Sequence, residues 1–188
     1  MKRIFLTLAV LANLALLFAF MLGWQVGDPM QLGGRDTVVN SRIGTHILAG
    51  LAALTGATMV HALLFTYFMG TGRWIEETSQ AYSLSSEWHR QNQKTKYSIL
   101  PGICISFLML VATGALGAIA DPATALSLEK SLGINDSTVH FAAALSAWIV
   151  NVIVNLTQFI AIARNSAIVE GVLAEVRRIR VEKGLPVD

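Results

Sequence analysis

The sequence predicts an all-α integral membrane protein: a four-transmembrane-helix bundle with an interfacial cytoplasmic helix and an amphipathic C-terminal helical extension. Three observations lead there. Of 188 residues, 54% are hydrophobic and only 14% charged, with a mean hydropathy of +0.56, whereas soluble domains carry about 25% charge. The apolar residues gather into four runs, about residues 4–26, 43–70, 99–120 and 139–163. At about 1.5 Å per residue each is long enough for a hydrocarbon layer of about 30 Å. The runs are also continuous, unlike the alternating segments of about 10 residues that build membrane barrels.

Charge sets the expected orientation. The chain begins MKRIFLTLAV, as a signal peptide does, but its apolar run passes about 15 residues without a small-x-small cleavage pattern, so it reads as a retained first span. Counting by loop, 11 of the 14 basic residues fall on one side, and only Arg35, Arg42 and Lys130 on the other. That split predicts a plasma (inner) membrane protein with both termini cytoplasmic. The net charge of +2 is accounted for by these flanking residues, so nucleic acid is not an expected partner. A lone cysteine, Cys104, cannot form an internal disulfide or a Cys-x-x-Cys site, and a buried, inert thiol is expected.

The elements follow in order. Span one carries Asn13, placed to bond a neighbouring helix. The loop GDPMQLGGRDTVVNS reads as irregular turn. After span two, the connection Thr71 to Lys96 is long enough to hold structure of its own. Its Trp74, Ile75, Tyr82 and Trp88 among charged residues predict the interfacial helix. Span three is expected to open at Pro101-Gly102, to carry the small-residue run ATGALGAIA, and to end at Asp121-Pro122. ATALSLEKSLG predicts a short helix closed by Gly133, with Asn135, Asp136 and Ser137 available to cap span four. Beyond Arg164, Ile168, Val172, Val176 and Ile179 recur at helical spacing. The chain therefore divides into a bundle, 1–164, and a cytoplasmic amphipathic helix and tail, 165–188.

Chemistry concentrates on two faces. At 100° per residue, His46, Gly50, Ala53, Ala57 and His61 share one side of span two, with Arg42 one turn above His46. On span four the same arithmetic groups His140, Ala144, Ala147, Asn151, Asn155, Gln158 and Asn165. Ionisable groups at membrane depth are costly and mark functional sites. Two histidines at matching depth, small residues below them and a nearby arginine are the parts of a bis-imidazole haem b site. His46 and His140 would be the axial ligands of the iron, with Arg42 meeting the propionates. Thr45, Thr138 or a backbone carbonyl would accept from the other imidazole nitrogens.

The bland account is that a histidine near the end of a span bonds a neighbouring helix or a headgroup, and that small-residue faces serve helix packing. His61, with Asn151, Asn155 and Gln158, forms a secondary polar site. It is expected to bond Asn155 or Asn151, or to be ligated across a partner subunit. His89 has no assigned role. A weak internal repeat is visible, in which His46 and His140 match and, fifteen residues on, His61 matches Asn155. The layout is similar, in architecture only, to four-span haem b proteins, which commonly place two histidines on each of two helices. Asn155 in the fourth position argues against a second haem.

No Walker loop, dinucleotide fingerprint, G-x-S-x-G or H-E-x-x-H occurs, so the chain has no catalytic signature of its own. The leading expectation is a haem b electron-transfer subunit of a respiratory or oxidoreductase complex. The alternatives are a cofactor-free accessory or assembly subunit, and an oligomeric carrier or channel. Expected partners are membrane lipid and other membrane subunits or further copies of the chain.

Overall fold

A computed structural model of the chain describes residues 1–26 and 37–186. It is helical throughout: α1 (Lys2–Val26), α2 (Thr37–Tyr82), α3 (Glu87–Ala120), α4 (Leu128–Leu132) and α5 (Asp136–Glu182), with no strand among the described residues. Four of these helices, α1, α2, α3 and α5, are long and apolar enough to cross a membrane. At 46 and 47 residues, α2 and α5 each run about 70 Å, so both extend well past any hydrocarbon layer.

The long helices alternate in direction. α1 packs closely on α2, and α3 on α5; α2 with α3 and α1 with α5 complete the ring, and the parallel pair α2 and α5 meets across its centre. Large apolar side chains such as Trp24, Leu48, Leu108 and Leu156 cover the outside. The inside mixes Ala9, Ala57, Leu64, Phe68 and Ile162 with buried amides. That distribution reverses a soluble protein's and suits helices surrounded by lipid.

Several expectations need correction. There is no separate interfacial helix: α2 runs through Trp74 and Ile75 to Tyr82, and α3 starts at Glu87. The reversal takes only Ser83–Ser86. Ser83 adopts a left-handed φ of 54°, and Leu84 N donates to the Ser79 carbonyl at 2.8 Å, which closes α2 as a Schellman-type turn does. No proline interrupts the stretch before it, and Gly72 packs closely instead of breaking the helix: a Cβ there would sit 2.7 Å from Asn92 Oδ1. Pro101 lies inside α3, not at its start; a proline costs a membrane helix one backbone bond, which neighbouring groups can offset. Cys104 is exposed on the outer face of α3, because the inward face is taken by Ser106, Leu110 and Thr113. The predicted irregular loop is already helical from Thr37; its residues 27–36, Arg35 included, lie outside the described residues, as do the last two of the tail.

The α4 end follows the sequence closely. Ser127 accepts from Lys130 N at the start of α4, and Gly133 closes it at φ 70°. Asn135 caps α5 by accepting from Thr138 N at 2.9 Å. Asp136 takes a different role from the expected cap. Its carboxylate accepts from Ser127 Oγ at 2.7 Å and from Leu128 N at 2.6 Å, tying α4 to α5. The Ser127 bond chiefly holds this carboxyl below its usual range.

The C-terminal extension continues α5 without a break at position 164. Ile168 and Val172 are buried against Ile75 of α2, with Leu84, Trp88 and Val176 packed around them. A Cβ at Gly171 would lie 2.5 Å from the Trp88 ring, so only glycine lets the indole seat here. Gly171→Leu is expected to lower stability by about 2 kcal/mol through overpacking, read as a fall in thermal midpoint in detergent. An unchanged midpoint would mean that the α5 extension does not rest on Trp88.

Candidate functional site

His46 on α2 and His140 on α5 face each other, with ring centres 5.9 Å apart and planes at 67°. They sit in a cavity of about 750 Å³ that also touches Gly50, Gly114, Ala144 and Trp148. All four long helices contribute to its walls. Of the small residues expected below the histidines, Gly50, Ala144 and Ala147 line this shared space, whereas Ala53 and Ala57 are buried outside it.

Each ring is seated on a glycine of the adjacent helix. A Cβ at Gly23 of α1 would lie 2.7 Å from His46 Cε1, and one at Gly117 of α3 would lie 2.9 Å from His140 Cε1. The two seats are related by the internal repeat: His46 follows Gly23 by 23 residues, and His140 follows Gly117 by 23. One turn before the first glycine, the Ala19 carbonyl bonds His46 Nδ1 at 3.0 Å. A carbonyl can only accept, so Nδ1 carries the proton, and the neutral ring keeps its lone pair on Nε2. In the second seat Thr113 occupies the place of Ala19. Its carbonyl attracts the His140 ring, although the buried Nδ1 makes no bond of ordinary geometry. Neither Nε2 has a hydrogen-bond partner among the described residues.

The polar groups expected around this pair are arranged differently. Thr45 donates to the Ser41 carbonyl and Thr138 to Asn135 Oδ1, so neither orients an imidazole; a hydroxyl within one turn of a carbonyl bonds locally first. Arg42 is exposed and is not part of the cavity wall, whose rim carries Asn135, Ser137 and Thr138 instead.

Deeper in the bundle, His61 organises a second layer. It lies 15 residues beyond His46, about 22 Å along the helix. Gln158 Nε2 donates to His61 Nδ1 at 2.8 Å. His61 Nε2 and Ser106 Oγ both reach Asn151 Oδ1 at 3.0 Å. Asn151 Nδ2 passes the bond on to Asn13 Oδ1 at 3.0 Å, and Asn13 donates to the Ala9 carbonyl at 2.7 Å. All four long helices take part, and the donors run in one direction. A neutral His61 satisfies every step, which leaves neither of its nitrogens for a metal. Of the two amides expected as partners of His61, Asn151 takes the bond and Asn155 does not: its amide is buried with no partner among the described residues, because Asn151 and Gln158 occupy both ring nitrogens.

A further polar cluster lies toward the α2–α3 turn, where Asn92 donates to Asn165 Oδ1 at 2.6 Å and Asn165 donates to Thr71 Oγ1 at 3.0 Å. Leu64, Phe68 and Ile162, all fully buried, separate it from the His61 layer. This apolar plug interrupts the polar groups along the bundle interior among the described residues.

Gly23, Gly117, Ala19 and Ser106 are the site residues that sequence reasoning missed. The equal glycine-to-histidine spacing in the two halves was the available signal for the first two. No cluster of three or more metal-ligating side chains occurs among the described residues, so the histidine pair stands alone. Comparison with known protein families, characterised proteins and solved structures returns no match.

Proposed function

We propose that the chain is a multi-pass plasma (inner) membrane protein that holds one haem b between His46 and His140 and acts as an electron-transfer subunit of an oxidoreductase complex. One observation carries the reading: two imidazoles converge across the bundle with both Nε2 atoms unbonded, and the cavity around them has room. With ring centres 5.9 Å apart, the two imidazoles are close enough that both would hold one group placed between them. A haem held by His46 and His140 would supply one-electron transfer.

The remaining residues serve that pair. Gly23 and Gly117 make room for the rings, and the Ala19 carbonyl holds the His46 tautomer that can ligate. Apolar walls at Leu16, Ile47 and Leu110 exclude water. The saturated His61 layer closes the cavity's inner end and argues for one cofactor rather than two. Electron donor and acceptor would be other membrane subunits.

The competing reading, a cofactor-free accessory subunit, rests on the α5 extension. There Leu173 and Val181 are exposed, while Ile168 and Val172 are covered by this chain's own α2 and α3. Protein purified in detergent with haem present during expression should give a reduced-minus-oxidised absorption spectrum of b type, with one haem per chain. A colourless protein that takes up no added haem would favour the accessory reading.

The proposal includes both termini in the cytoplasm, a reading supported by the split of basic residues between the two sides. In a Cys104→Ser background, a cysteine at Lys130 should then react with an impermeant label added outside intact cells, and one at Gln91 should not. The reverse pattern would invert the bundle.

A further inference from the structure

A second cavity, of about 560 Å³, opens between α3 and α5 on the outer surface, walled by Trp88, Gln91, Lys94, Ser98, Arg164 and Ile168. Its position along the helices is telling. Ser98 immediately precedes the apolar run 99–120, and Arg164 immediately follows the run 139–163. The cavity therefore lies where two apolar spans give way to polar chain, the level of lipid headgroups.

Its electrostatics are one-sided. Lys94 and Arg164 are exposed, and neither forms an ion pair among the described residues, whereas Arg73, Arg90 and Arg178 each do, with glutamates three or four residues away. Lys94 interacts across space with Glu87, but that carboxylate is already bonded by Arg90 and Gln91. Two cations on separate helices thus converge with a net positive field. The wall is rigid, because the Trp88 indole is seated on Gly171 beside the buried Ile168 and Val172.

What extends from the cavity distinguishes a lipid from a free anion. On α5, Leu156, Ile160, Arg164 and Ala167 follow each other at helical spacing along one face, and Leu156 and Ile160 are exposed. On α3, Lys94, Ser98 and Ile105 do the same, with Ile105 exposed. Each cation therefore stands at the foot of an apolar stripe running into the membrane-crossing part of its helix. A phosphate on the cations with hydrocarbon chains along both stripes would satisfy charge and apolar surface together.

We propose that this cavity is a specific site for an anionic phospholipid, its phosphate held by Lys94 and Arg164, its glycerol region against the Trp88 indole, and its acyl chains in the furrow between α3 and α5. The site is separate from the histidine cavity, at the opposite end of the bundle, and does not depend on the haem reading. It would fix α3 to α5 at the point where the α5 extension leaves the membrane.

The test uses the full-length protein in a mild detergent. Phosphatidylglycerol, phosphatidylcholine and inorganic phosphate are titrated separately, and native mass spectrometry counts what stays bound. A cation near the surface contributes about fivefold in affinity for an anionic lipid, so Lys94→Gln with Arg164→Gln is expected to weaken phosphatidylglycerol binding roughly 25-fold. The pair Lys94→Arg with Arg164→Lys keeps the charge and should keep the binding, and Arg177→Gln with Arg180→Gln, which removes two cations outside the cavity, should leave it unchanged. Equal retention of phosphatidylglycerol and phosphatidylcholine, or wild-type retention by the double glutamine variant, would overturn the proposal. Displacement of the lipid by millimolar inorganic phosphate would overturn it too, since the acyl furrow would then contribute nothing.

Discussion

Alanine at His46 or at His140 is expected to abolish the b-type spectrum altogether, while alanine at His61 leaves it at close to full intensity. The first two substitutions each remove one of the two imidazole Nε2 atoms that reach the cavity without a partner among the described residues, and a haem with a single protein ligand in an apolar gap is held far less tightly. His61 differs because Gln158 and Asn151 already use both its nitrogens. Gly117→Ala should act like His140→Ala without touching a ligand. The new Cβ would stand 2.9 Å from His140 Cε1, and the ring, free to rotate at its far end, would swing out of line. The readout is haem per chain after purification, checked against helical content by circular dichroism. Loss of haem in His61→Ala with retention in His140→Ala would move the site to the inner layer.

Asn151→Leu carries the second large effect, on stability rather than on cofactor. Asn151 accepts from His61 and Ser106 and donates to Asn13. Leucine would leave Asn13 Oδ1 without its donor and reduce His61 Nε2 and Ser106 Oγ to the bond they share at 2.9 Å; at about 1 kcal/mol or more per lost bond, a net loss of about 2 kcal/mol is expected. Polar bonds between membrane helices average below 1 kcal/mol when the groups find other partners, so a smaller loss would indicate water entering the layer. Asn155→Leu is the matched control. Its amide bonds nothing among the described residues, so removing it should leave stability equal or raised. Thermal unfolding of both variants in one detergent decides the matter, and a larger fall for Asn155→Leu would contradict the network described here.

The contrast between Asn151 and Asn155 marks how far the sequence could be read. Helical periodicity placed both on one inward face of α5, and both are buried there. It could not say which would find a partner, because that depends on the depth at which Ser106 and Asn13 arrive from other helices. The four apolar helices, the α4 segment with Gly133, and the Asn135 cap were legible, since each rests on local chemistry within a few residues. The pairing of His46 with His140 was legible as a depth argument, and α2 and α5 do bring them together. The interfacial helix was misread because the charged stretch after Gly70 suggested a change of direction. Helices held by tertiary contacts such as Ile75 on Val172 continue past the apolar boundary instead. Cys104 was misplaced for a related reason: in lipid an exposed position is apolar too, so hydropathy cannot separate inside from outside.

The most direct test of the central claim is electron paramagnetic resonance of the oxidised, purified protein. With His46 and His140 as joint axial ligands, the iron should be entirely low-spin, and His140→Ala should convert or eliminate that signal. A high-spin signal in the unsubstituted protein, or a low-spin signal that persists when either histidine is replaced, would contradict ligation by this pair.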